Sequence, residues 1–111
     1  TAGAQIGTTG EIVAREIEGL DVQTYDDILM VFEDLKAGRI DAAVCDSYLG
    51  YYFANGDEDF EIAMVLKTDE QLGIAFAKDN QQLVDAVNGA LKSIMDDGTY
   101  DTIHERWFGD T

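Results

Sequence analysis

The 111-residue sequence has no proline, one cysteine, one histidine and seven basic residues. A lone cysteine, Cys45, cannot form a disulfide within the chain, which excludes a disulfide-stapled scaffold. One histidine leaves no His-rich metal site. No apolar run approaches the ~20 residues that a membrane-spanning helix needs. The first residues, TAGAQIG, also lack the basic start and long apolar stretch of a secretory signal, which a mature protein has already lost.

Acidic residues dominate the charge of the chain. Asp and Glu number 23 against seven Lys and Arg, so the formal net charge is -16. Such a chain repels phosphate backbones, and we therefore expect no nucleic-acid partner. The composition is 46% apolar, which argues against disorder and indicates one modest core or one lobe of a larger fold.

Short apolar runs alternate with amphipathic stretches, a pattern typical of the α/β class. It predicts strands over 2–6, 21–25, 40–45, 60–65 and 72–77. It predicts one helix that begins after Thr8 and further helices over 27–37, 47–55 and 80–96. It also predicts a loop at 55–59 and a last short helix that ends near 107–109.

The first predicted strand is followed by a turn of small and hydroxyl residues, Gly7-Thr8-Thr9-Gly10. Thr8 and Glu11 form a T-x-x-E capping box, and the helix that follows presents amide groups at its positive end. We expect Thr8 to cap the helix and the Thr9 hydroxyl to face a ligand. An anion cradle and a simple capping box both fit the pattern. The turn is neither a Walker A loop nor G-x-G-x-x-G, so a carboxylate is favoured over a nucleotide.

Asp46 directly follows the third predicted strand. Ligands of open α/β sheets bind outside the carboxyl ends of the strands, so this carboxylate and the 7–10 turn are expected to meet in one crevice. A carboxylate beside an anion cradle suits a zwitterion. The alternative is that Asp46 caps the helix that begins at residue 47.

Two other groups of reactive side chains have structural interpretations. Cys45 and His104 could form a thiol nucleophile, but Cys45 lies within an apolar strand and is favoured as a buried small hydrophobe. Asp57, Asp59 and Glu61 alternate like a calcium loop but lack its glycine and distal glutamate, so a solvated loop is favoured. We expect no metal and no cofactor.

Three blocks of the chain together resemble one protein family. GTTGE, VFEDLKAGRIDAAVCDS and QLGIAFAKDNQQLVDAVNGALKSIMDDGTYDTIHERWFG occur in the order and spacing of the family 3 extracellular solute-binding proteins, the polar amino-acid receptors of ATP-driven (ABC) importers. The most telling parts are L-x-x-G-x-x-D-A-x-x-x-D, from Leu35 to Asp46, and the closing D-G-T-Y and W-F-G.

The resemblance implies an α/β fold of the periplasmic-binding-protein-like (type II) class, with a three-layer sheet and helices on both faces. Residues 1–71 would form the second, smaller lobe, and 72–111 would be the C-terminal segment that returns to the first lobe. Most of a first lobe has no counterpart here. We therefore expect a fragment truncated at its N-terminus.

The implied function is capture of a polar amino acid between two lobes. In the family the G-T-T turn holds the α-carboxylate and the aspartate after D-A-x-x-x holds the α-ammonium. Gly10 occupies a variable place that can touch the ligand side chain, and two further residues lie near it. Carried over to this chain, the ligand-binding residues are Gly7, Thr8, Thr9, Gly10 and Asp46, with Gln5 and Ile6 as weaker candidates.

The family also implies partners and a location. The expected partners are an amino acid and a membrane permease. The expected location is periplasmic or extracellular, and the full-length parent could carry a lipid anchor. No enzyme activity is expected. Uncovered apolar residues of the last two helices predict a homodimer of the chain. The alternatives are an enzyme like the cyclohexadienyl dehydratases and a sensory input domain of a signalling receptor.

Overall fold

The computed structural model of the chain describes residues 1–109. Contacts divide the chain into two compact units, Thr1–Ala63 and the residues from Met64 onward. The described elements are, in chain order, β1 (Ala2–Gln5), α1 (Thr9–Glu16), β2 (Val22–Tyr25), α2 (Ile28–Lys36), β3 (Ala42–Ala43), α3 (Ser47–Ala54), α4 (Gln81–Asp96) and α5 (Thr99–Phe108).

The first unit is built on a parallel sheet in which β1 is the central strand. The order is β2-β1-β3, with Ala2 opposite Val22 on one side and Ala42 on the other. Helices α1 and α2 connect the successive strands, as parallel neighbours require. The central position of β1 explains its sequence, because Ala2, Gly3 and Ala4 are all buried.

Gly3 shows how closely α2 packs on this sheet. A Cβ atom at Gly3 would lie 2.6 Å from Ile40 Cδ1 and 2.9 Å from Val31 Cγ1. Val31, Ile40 and Tyr25 form the buried core on this face. Side chains alternate along a strand, so Ala2 and Ala4 point to the opposite face. The predicted α/β class with a parallel sheet is therefore confirmed.

Helix α2 has the ends that its sequence predicts. The Asp27 carboxylate accepts the Leu29 amide at 2.7 Å, and Gly38 adopts φ +70° just after the helix. The predicted helix over 27–37 is thus observed as Ile28–Lys36. The helix predicted over 47–55 is likewise observed, as Ser47–Ala54.

The strand predictions are less accurate. The third strand is limited to Ala42–Ala43 instead of 40–45, although the Val44 amide still donates to the Gly3 carbonyl. The strands predicted over 60–65 and 72–77 are wrong, since residues 60–77 contain no strand. A strand forms only where a neighbouring strand supplies donors and acceptors, and the described sheet does not pair with these segments.

The second unit contains two helices that pack against each other. The Asn80 side chain accepts the Leu83 amide at the start of α4, and Gly98 adopts φ +80° at the start of α5. The sequence predicts α4 from its apolar periodicity and α5 from the turn at 97–100 and the closing W-F-G. Within residues 1–109, no helix combines the length and apolar character needed to cross a membrane.

Candidate functional site

The carboxyl ends of β1 and β3 bring the two predicted parts of the site together. These strands are adjacent and parallel, so the chain leaves both of them at the same edge of the sheet. A Cβ atom at Gly10 would lie 2.8 Å from the Val44 carbonyl oxygen and 3.3 Å from Cys45 Cα. The first turn of α1 therefore packs directly on the segment that leads into Asp46.

Thr8 caps α1 as its sequence predicts. Its hydroxyl accepts the Glu11 amide at 3.3 Å and donates to the Gln5 carbonyl at 2.7 Å. Gly7 permits the tight turn before the cap by adopting φ +75°. The Thr8 hydroxyl proton is thus committed within the turn. A helix leaves the amides of its first residues without acceptors inside the helix, and amides of this kind are suited to an anion.

Glu11 makes a contact that the capping-box pattern does not predict. Its carboxylate accepts the Gly7 amide at 2.7 Å, one residue before the cap, and Arg15 donates to the same carboxylate at 2.9 Å. The hydrogen bond from the Gly7 amide has the largest effect on the Glu11 carboxyl and lowers its pKa. The hydrogen bond from Arg15 lowers this pKa as well. The spacing of Glu11 and Arg15, four residues apart on one helix, is the sequence signal that could have indicated this pair.

Asp46 lies at the N-cap position of α3, but its carboxylate makes no capping hydrogen bond. The Asp46 carbonyl instead accepts the Leu49 and Gly50 amides. The side-chain capping role considered for Asp46 is therefore wrong. Its side chain is exposed, so its carboxylate is accessible to solvent at the sheet edge.

Cys45 is only half-buried between the turn and α3. Burial, together with the negative charge of Asp46, raises the pKa of its thiol to about 11. The thiol is protonated at neutral pH, whereas a nucleophile needs the thiolate. These properties disfavour the thiol-nucleophile interpretation.

The weaker candidates lie at the same edge with different surroundings. The Gln5 side-chain amide donates to the Asp26 carbonyl at 3.1 Å, which links the ends of β1 and β2. Ile6 donates its backbone amide to the Tyr25 carbonyl and exposes 57% of its surface. Thr9, the first residue of α1, is also exposed. In residues 1–109, no three His, Cys, Asp or Glu side chains are placed to hold a metal ion together.

A parallel sheet whose carboxyl edge carries a helix-opening turn and an accessible carboxylate is typical of α/β proteins that bind small ligands. Residues 11–110 match the model of the bacterial extracellular solute-binding proteins, family 3. The chain therefore belongs to this family, as its sequence blocks predict.

Individual relatives agree with the family match. The L-cystine-binding protein TcyJ of Escherichia coli (strain K12) is 34% identical over 109 residues, which cover 96% of this chain and 41% of TcyJ. The lysine/arginine/ornithine-binding periplasmic protein of the same strain is 33% identical, with 96% of this chain and 45% of that protein covered. This chain spans less than half the length of both relatives.

A solved structure supports the same fold. The chain is similar to an ancestral arginine-binding protein bound to glutamine, with a TM-score of 0.70 and 37% sequence identity. The similarity covers 98% of this chain and 50% of the solved one. The fold is accordingly that of periplasmic-binding-protein-like amino-acid binders.

Proposed function

We propose that this chain is the amino-acid-binding part of a receptor for an ATP-driven importer. The α-carboxylate of a polar amino acid binds at Gly7, Thr8 and Thr9, and its α-ammonium binds at Asp46. Gly10 lies beside the ligand side chain, and Gln5 and Ile6 border the site. Thr8 contributes through its backbone, since its hydroxyl proton is directed to the Gln5 carbonyl. Gly7 contributes by shaping the turn, since its amide donates to the Glu11 carboxylate.

The observation that supports this proposal most strongly is the packing of Gly10 on Val44 and Cys45. A zwitterion needs a positive and a negative partner only a few atoms apart. The first turn of α1 lies on one side of this contact, and the segment that leads into Asp46 lies on the other. The accessible Asp46 side chain, which does not cap α3, supports the pairing with an ammonium group.

We also propose the following wider assignments, which the family match supports. Residues 1–71 form the second lobe and 72–111 the C-terminal segment of the first lobe, and a membrane permease is the partner of the two-lobed protein. The relatives named above are binding proteins, which supports a role without catalysis. The family match also supports a periplasmic or extracellular location, in which the full-length protein could be held by a lipid anchor.

Replacement of Asp46 by alanine tests the assignment. We expect Asp46→Ala to weaken amino-acid binding by about 2–5 kcal/mol, because the ligand ammonium, enclosed between the two proposed lobes, would lose its charged partner. The measurement is calorimetry on a two-lobed protein that carries this sequence, titrated with L-arginine, L-glutamine and L-cystine.

Asp41→Ala is the matched control, since it removes the same charge from the opposite end of β3. Asp41 is exposed there. Its replacement should leave affinity unchanged. Equal affinities of the Asp46→Ala and unmodified proteins would refute the assignment of Asp46.

A further inference from the structure

The amide of Gly7 is already bonded to a carboxylate of the chain itself. Glu11 Oε2 accepts it at 2.7 Å, and Arg15 Nε lies 2.9 Å from Glu11 Oε1. The Glu11 side chain is only 17% exposed. A negative group is thus fixed at the end of α1 where the α-carboxylate of a ligand is proposed to bind.

Two opposite effects follow from this geometry. The Glu11 hydrogen bond holds Gly7 in the turn and so fixes the direction of the next amides. The Glu11 charge, however, repels a second carboxylate at the same helix end. Arg15 offsets this repulsion because its guanidinium carries a full positive charge in direct contact with Glu11.

We propose that Glu11 and Arg15 are positioning residues that set the affinity of the Gly7–Gly10 turn for a carboxylate. Glu11 holds the turn, and Arg15 cancels the charge that Glu11 brings to it. This inference rests on the proposed function, since it concerns the same carboxylate site.

The test is a cycle of variants of this chain, studied by NMR with L-glutamine as a probe that has no net charge. Arg15→Met should weaken glutamine binding about threefold to fivefold, because it leaves the Glu11 charge uncompensated. Glu11→Gln should bind at least as tightly as the unmodified chain. The double variant should regain the unmodified affinity, because it again has no net charge at this pair.

Lys92→Met is the matched control. Lys92 pairs with Asp96 at 2.7 Å, also four residues apart on one helix, but in α4. It should leave glutamine affinity unchanged. High salt should reduce the effect of Arg15→Met, because screening weakens the repulsion. A double variant as weak as Arg15→Met would overturn the inference, and so would an Arg15→Met variant that binds normally.

Amide hydrogen exchange without ligand provides a second measurement. Glu11→Ala should speed exchange at Gly7, whereas Glu11→Gln should keep it slow, because the glutamine side-chain oxygen still accepts the amide proton. Equal Gly7 exchange in both variants would overturn the positioning role. Failure of a two-lobed protein that carries this sequence to bind any polar amino acid would contradict the proposed function instead, and Gly7 exchange would still decide the role of Glu11.

Discussion

Gly10 is the residue on which the geometry of the site depends most directly. It lies in the first turn of α1 and leaves no room for a side chain against the Val44 carbonyl and Cys45. The obstructing atoms belong to the backbone, which cannot rotate away as a flexible side chain can. A larger residue at position 10 must therefore move α1 relative to the segment before Asp46.

We expect Gly10→Ala to lower the free energy of unfolding by about 1–3 kcal/mol, the usual cost of overpacking. The measurement is urea unfolding of this chain. Gly89→Ala is the control, because Gly89 lies in α4 and its added Cβ would meet no atom within 4 Å apart from the neighbouring backbone of its own helix. That change should raise the free energy of unfolding by about 0.5–1 kcal/mol. A Gly10→Ala chain as stable as Gly89→Ala would contradict the close packing.

For individual residues, the sequence predicts local features such as a helix cap well. It predicts poorly which residues contact each other across the fold. The Thr8 cap follows from the Thr8 and Glu11 spacing and is observed. The bond between Glu11 and Gly7 differs from the capping box by one residue, a difference set by the turn geometry. The closeness of Gly10 to Val44 depends on how α1 packs beside β3, which no local pattern specifies.

At the scale of elements, helices are predicted more accurately than strands. The periodicity of α2 and α4 and the end signals Asp27, Gly38 and Gly98 are contained within each segment. A strand depends on a partner from elsewhere. Segments 60–65 and 72–77 have strand-like composition, yet they form no strand in residues 1–109. The third strand ends early where Val44 and Cys45 pack against Gly10.

The two helices of the second unit carry an exposed apolar surface that leads to a prediction. Exposed fractions reach 56% at Met95 and 50% at Trp107. We expect this chain to self-associate, because burying each such side chain contributes roughly 1.5–3 kcal/mol. Added salt should promote association by screening the net charge of -16. Light scattering over a concentration series measures this.

Polar replacements identify the surface responsible. Met95→Gln with Trp107→Gln should shift association to higher concentration. Leu29→Gln, which alters a side chain of similar exposure in α2, should change it little. A chain that stays monomeric at every concentration and salt level would contradict the expected self-association.

At the scale of the whole molecule, the family assignment and the site support each other through different observations. The family match covers residues 11–110 and rests on sequence. The convergence of the turn and Asp46 rests on strand order, because β1 and β3 are neighbours. Their combination predicts that one ligand bridges the two parts through opposite charges.

The most direct test is NMR titration of the 15N-labelled chain with L-glutamine and, separately, with its α-amide, which lacks the α-carboxylate. The backbone signals of Gly7–Gly10 and of Asp46 should shift together with one dissociation constant for glutamine. The α-amide should leave the turn unaffected at the same concentrations. Equal shifts with both compounds, or glutamine shifts confined to residues away from the turn and Asp46, would contradict the account.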